Sequence, residues 1–172
     1  MARSLVQDMS DIVWAVNPRH DGFEALVRRM RHFASETLTE TDLHFHTGDL
    51  PRQFELNMGA RRTLYLVFKE VVHNAAKHSG ARTISIRLAI ESSALRLTVT
   101  DDGRGFDPSA TADGEGLPSV RKRMSELGGS AEWETAPGQG TRFVGVLPLA
   151  HVSFPSKLRG FWQWLASKMR ER

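Results

Sequence analysis

Glu70, Asn74, Lys77 and His78 recur at three- and four-residue spacing within "FKEVVHNAAKHSG", which sets a carboxylate, an amide, an ammonium and an imidazole on one helical face. On the adjacent face Leu64, Val67, Phe68, Val71, Val72 and Ala75 share the same spacing and form a stripe that needs burial. Taken alone, the polar stripe is a solvated helix surface. A chemical role requires partners elsewhere in the chain.

Three glycine-bearing segments offer them. In "DDGRG", Asp101 closes a predicted strand just before Gly103 and Gly105, holding one carboxylate at a sheet edge as an acceptor for a ligand amine such as the adenine amino group. "GEGL", running from Gly114 through Gly116 to Leu117, stands at a predicted helix start, where exposed amides suit phosphate oxygens. "GQGT", ending on Thr141, joins two predicted strands. Each segment alone is an ordinary turn. Together with Asn74 they suggest more. Its neutral oxygen suits Mg2+, a hard cation that keeps water ligands while bridging nucleotide phosphates, and Lys77 adds positive charge beside those phosphates.

Patterning supplies the elements that must position these groups. Leu5, Met9, Ile12, Val13 and Val16 keep a helical rhythm that stops at Asn17-Pro18, because proline disfavours helix in the residue before it. A second amphipathic helix, of about six turns, begins at Phe23 and runs through Leu26, Met30, Ala34 and Leu38. A short strand is predicted over Leu43 to His46. "TISIRLAIE" and "ALRLTVTD" alternate around Ser92-Ser93 as an antiparallel hairpin. A helix from about Leu117 to Leu127 ends at Gly128-Gly129, and "SAEWETA" and "TRFVGVLPL" complete the strands. The order predicts an α+β fold: a two-layer sandwich in which helices cover a mixed, mostly antiparallel sheet.

The four pieces, in this order, resemble the N, G1, G2 and G3 boxes of the Bergerat-fold (GHKL) ATPases, the superfamily of gyrase, Hsp90, histidine kinases and MutL. The likeness spans roughly Leu43 to Leu149. "KEVVHNAAKHSGA", "DDGRGFD" and "GEGLPSVRKRM" are most similar to sensor histidine kinases of the nitrate and lipid-fluidity sensor branch, with the HisKA_3 type of dimerisation domain. "DIVWAVNP" resembles the end of that domain. The resemblance implies that ATP and Mg2+ are bound, with Asn74 as the metal ligand, Asp101 on adenine, and Gly103 and Thr141 completing the adenine pocket. Lys77 and His78 would face the phosphates, Gly114 and Gly116 would frame a lid, and Glu70 would polarise the attacking group or support the metal. The lid, between Phe106 and Gly116, is short, rich in small polar residues and without an aromatic box, so it should be mobile until nucleotide orders it.

The resemblance further implies transfer of the ATP γ-phosphoryl group to a histidine on a dimerisation domain, and from there to a response regulator. None of His20, His32, His44, His46, His73, His78 or His151 stands in the context of the family's phospho-acceptor. The chain therefore reads as a catalytic module that starts after that histidine, the full-length protein being compatible with a homodimer. Expected divisions are 1–18, the end of a dimerisation helix; 19–40, a linking helix; 41–150, the ATP-binding domain; and 151–172, a basic amphipathic helix. Rival readings are a nucleotide-dependent interaction module and an anti-sigma-type serine kinase, neither of which needs the segment around Trp14.

Bulk properties agree with these expectations. The 172 residues fit one domain with appendages, and 23 basic against 20 acidic residues, a formal charge of +3, do not call for nucleic acid. There is no cysteine, so neither disulfides nor thiolate metal sites form, in keeping with a cytoplasmic location or the cytoplasmic part of a membrane-anchored sensor. His44 and His46 share a strand face, as zinc ligands do, without evident further ligands. In "KLRGFWQWLASKMRER" the residues Leu158, Phe161, Trp162, Leu165 and Met169 line one side among cations, the pattern of a helix that docks on its own domain or on a membrane surface.

Overall fold

A computed structural model describes residues 22–48, 55–92, 94–107, 116–148 and 152–153. The expected helix before Pro18, the patch around Trp14, the lid residues 108–115 with Gly114, and the tail 154–172 lie outside the described residues.

Alternation of apolar and polar side chains produces a five-stranded sheet. Its strands are β1 (Asp42–Thr47), β3 (Thr83–Glu91), β4 (Ala94–Asp101), β5 (Ser130–Thr135) and β6 (Thr141–Pro148), in the order β1-β3-β4-β6-β5. Only β1 with β3 is parallel; the remaining pairs are antiparallel. The two-residue strands β2 (Glu55–Leu56) and β7 (Val152–Ser153) pair separately. The mixed, mostly antiparallel sheet and its helices are those expected.

Among the described residues three α-helices accompany the sheet: α1 (Gly22–Thr37), α2 (Met58–Asn74) and α3 (Gly116–Ser125). The α1 helix is shorter than the six turns expected. Its rhythm covers 16 residues, about four and a half turns at 3.6 residues each. It buries Phe23, Leu26, Met30 and Ala34, which join the stripe of α2 and the inward residues of the sheet in one core. Every residue of the predicted α2 core stripe is buried.

Local chemistry fixes the helix ends. Asn57 caps α2, its Oδ1 accepting from the Ala60 amide at 2.8 Å. Helix α3 closes on a Schellman motif, with Gly129 N donating to Met124 O at 2.9 Å and Gly128 N to Ser125 O at 2.8 Å. Beyond Asn74, α2 loosens into a π-helical turn over Ala75–Ser79 that ends at a left-handed Gly80. The sequence gives no warning of that turn, and such turns concentrate at functional sites.

Candidate functional site

Strand register builds the floor of a cavity. Asp101 of β4, Thr141 of β6 and Thr135 of β5 are cross-strand partners, forming a polar row. Two residues along lies the inward row Val99, Phe143 and Trp133, because side chains on one face recur with period two. The third row, Leu97, Gly145 and Ala131, lies farther from the cavity. A Cβ on Gly145 would sit 3.1 Å from the Phe143 ring and 3.6 Å from Met124 of α3, so a small residue there gives both side chains room.

Walls rise from the helices and loops. From α2 and its π turn come Val71, Asn74, Ala75, His78 and Ser79; from the loop after β4 come Arg104, Gly105 and Phe106; from the start of α3 come Gly116 and Leu117. The enclosed volume is about 290 Å³. A mostly apolar cleft with a few convergent polar groups is the usual form of a small-molecule site.

Asp101 is the acid of the floor, only 7% exposed. Burial raises its carboxyl pKa above the ordinary 3.8, opposed by hydrogen bonds from the Gly103 amide and from Thr141. The Gly103 bond is 2.9 Å long. Next along, Thr135 Oγ1 accepts from the Phe106 amide at 3.1 Å, donates to Gly140 O at 2.9 Å and lies 3.3 Å from Thr141 Oγ1. Asp102, by contrast, is exposed and has a structural task. Its Oδ1 accepts from the Thr83 and Arg82 amides at 2.9 and 2.8 Å. These bonds, that of Thr83 foremost, lower its pKa.

Glycines let the loops close over the floor. A Cβ on Gly105, at φ +58°, would lie 2.1 Å from Ala136 O, and one on Gly140, at φ +68°, 2.2 Å from Asp101 O. Arg104 stitches the same region together. Its amide donates to Ser79 O at 2.8 Å, its Nε to His78 O at 2.5 Å, and its carbonyl accepts from Gly138 N at 2.6 Å.

Of the residues singled out from sequence, the structure gathers Asn74, His78, Asp101, Gly105, Gly116, Leu117 and Thr141 around one cavity. Glu70 and Gly103 stand beside it, and Lys77 precedes His78 in the chain. The Glu70 carboxylate accepts from Asn74 Nδ2 at 3.4 Å and lies against the start of α3. Lys77 is exposed on the π turn. Gly103 packs on the backbone of Ser79, where a Cβ would come within 2.3 Å of its carbonyl oxygen. Ser79, Val99, Arg104, Phe106, Trp133 and Phe143 are lining residues that sequence reasoning missed.

A divalent cation fits this arrangement. With Nδ2 directed to Glu70, the Asn74 side chain keeps its oxygen for a hard cation, and a carboxylate stands next to it. His44 and His46 stand on β1, away from the cavity lining. Their rings stack at 6.3 Å and His44 pairs with Asp42 at 3.2 Å, and no group of three metal-ligating residues occurs among the described residues. Nor, among the described residues, is any helix long and apolar enough to cross a membrane.

Comparison with known proteins bears on the family and the fold. Residues 59–151 match the family model described as histidine kinase-, DNA gyrase B- and HSP90-like ATPase. Sensor histidine kinase LiaS of Bacillus subtilis is 35% identical over 95 residues, which is 55% of this chain and 26% of that protein. The histidine-protein kinase/phosphatase UhpB of Salmonella typhimurium is 33% identical over 97 residues, covering 56% of this chain and 19% of that one. The chain thus spans about a quarter or less of these relatives. Among solved structures, the catalytic domain of histidine kinase ThkA superposes with a TM-score of 0.61 at 21% identity, covering 74% of this chain and 92% of that one. The histidine kinase domain of an Erythrobacter litoralis blue-light activated kinase gives 0.60 at 23%, covering 73% and 61%. Both share the fold.

Proposed function

Because this chain belongs to the histidine kinase-, DNA gyrase B- and HSP90-like ATPase family, we propose that its cavity binds ATP with Mg2+ and serves transfer of the γ-phosphoryl group to a histidine on a separate dimerisation domain. The chain is homologous to the catalytic domains of sensor histidine kinases. The observation that carries the proposal is the joining, on one cavity, of the buried acid Asp101 on the sheet with Asn74 of α2, His78 of the π turn and the start of α3.

In this reading Asp101 accepts the adenine amino group, with Thr141 beside it, while Val71, Ala75, Val99 and Phe143 supply apolar surface for the ring. Asn74 would hold the metal through its side-chain oxygen, and Gly114 and Gly116 would frame the lid over the triphosphate. Mg2+ would neutralise phosphate charge when bound. Lys77 and His78, on the π turn, add positive potential, and Glu70 fixes Asn74 and the start of α3. Phosphoryl transfer asks chiefly for positioning and charge neutralisation, which these groups provide without a covalent protein intermediate. The acceptor imidazole nitrogen bonds to the γ-phosphorus as the bond to ADP breaks, and the phosphohistidine then serves a response regulator aspartate.

Similarity to UhpB and LiaS supports the nitrate and lipid-fluidity sensor branch, and with it a homodimeric full-length sensor whose catalytic part is cytoplasmic. The divisions at 18, 40 and 150 belong to the same proposal, as does contact of residues 151–172 with a membrane surface, which co-sedimentation with anionic vesicles at low and high salt tests.

The deciding experiment is Mg2+-dependent ATP binding by the wild type and by Asn74→Ala and Asp101→Asn. Both changes should weaken binding at least tenfold, the first by abolishing most of the Mg2+ dependence. Unchanged affinity in both removes the assignment. Labelled ATP with an added phospho-acceptor domain should yield acid-labile phosphohistidine; phosphoserine, or no label, would favour the rival readings.

A further inference from the structure

Trp133 occupies an unusual place for so large a side chain. It sits on β5, an edge strand of the sheet, half-buried, at the end of the apolar row Val99, Phe143, Trp133 and in the wall of the cavity. Its indole is held from two directions. The Phe143 ring packs on it at 5.1 Å with a 54° tilt, and the Arg121 guanidinium of α3 lies 5.1 Å from its centroid. Phe106 and Leu117 line the same cavity. A core role alone would place the ring out of reach of ligand, yet it borders open volume.

We propose that Trp133 is a base-contacting residue that favours purines over pyrimidines, an inference that rests on the nucleotide reading of the cavity. Asp101 and Thr141 lie on the polar row, one side-chain repeat away from the row that holds Phe143 and Trp133. A base whose amino group meets Asp101 therefore extends over the aromatic row. A two-ring base reaches farther along that row toward Trp133 than a one-ring base. Aromatic contact with a nucleobase is insensitive to hydrogen-bond pattern but grows with overlapping area. The polar row thus reads the amine, and Trp133 reads the size of the ring system. Arg121, over the indole, ties the same contact to α3, whose first residues line the cavity.

The test uses the full chain and measures Kd for ATP and CTP, together with tryptophan emission during each titration. The sequence has four tryptophans, Trp14, Trp133, Trp162 and Trp164, so Trp133→Phe isolates the signal of one while keeping an aromatic ring. In the wild type, ATP should change the emission, and in Trp133→Phe most of that change should vanish. Trp133→Val, which suits a strand, should weaken ATP about tenfold and lower the ATP-over-CTP preference by a similar factor. Should valine unfold the domain, as a melt without nucleotide would reveal, the emission of the phenylalanine variant decides. If ATP binds but its emission change persists in Trp133→Phe, or the ATP-over-CTP preference survives Trp133→Val, the inference is overturned while the nucleotide reading stands. If the wild type binds neither nucleotide, both are overturned.

Discussion

The side-chain carboxylate of Asp101 and the amide of Gly103 are joined by a 2.9 Å hydrogen bond across two residues. The bond turns the chain sharply at the end of β4 and holds the buried acid at the floor of the cavity. Asp101→Asn should therefore separate binding from stability. A buried charge that opposes folding is removed, so the melting temperature should hold or rise, while ATP affinity falls by about 2 kcal/mol as the charged acceptor is lost. Melting curves and nucleotide titration on the same preparation check this; a variant that loses stability and binding together contradicts it.

The two neighbouring acids pull the pH dependence in opposite directions. Asp101, whose folded pKa is raised, contributes stability that is fully present below its unfolded value and lost as pH rises through the folded value. Asp102, whose folded pKa is lowered by the amides of Thr83 and Arg82, contributes stability present above about 3.8 and lost as pH falls through its folded value. Asp102→Asn should therefore flatten the acid limb of a melting-temperature profile taken from pH 7 to 3. Asp101→Asn should steepen it, since it removes the opposing term.

Gly105 and Gly80 have nearly the same backbone angle, φ +58° and +61°, but different surroundings. Nothing lies within 4 Å of a Cβ on Gly80, whereas one on Gly105 would strike backbone carbonyls. Gly80→Ala should cost about 1 kcal/mol, the strain of a left-handed residue. Gly105→Ala should exceed about 3 kcal/mol, because the loop from Ala136 to Gly140 must move. Denaturant unfolding of the pair gives the comparison, and equal losses would show that the loops separate freely.

Arg104→Ala removes the donor to the His78 carbonyl on the π turn. Its side chain is exposed, so the stability loss should be small, about 1 kcal/mol. The effect should appear locally: amide exchange over 75–80 should quicken while that of β3 and β4 stays unchanged. Uniform acceleration across the domain would contradict a local role.

Much of this was legible in the sequence, for identifiable reasons. The α2 core stripe declared itself because helical period acts within a few residues, and the β3–β4 hairpin and the Gly128-Gly129 stop are equally local. The parallel pairing of β1 with β3 was hidden, since strand direction is settled by packing across the chain. The pair β2–β7 is too short for any period to show. At the site, Asp101 and Thr141 were marked by their glycine neighbours. Val99, Phe143 and Trp133 carried no mark, because an inward strand residue looks the same in sequence whether it meets a helix or an open cavity. Likewise nothing in the residues around Arg104 shows that a π turn will bring the His78 carbonyl to it.

The floor of the cavity rests on strand pairing rather than on loop shape. That floor is consequently tiled: each tile is a cross-strand row, and neighbouring tiles are separated by a single pleat. Exchanging side chains of one tile leaves the backbone pairing of the next in place, so the cavity floor is open to stepwise revision from beneath, without rebuilding the glycine closures above, provided position 145 stays small enough for the Phe143 ring.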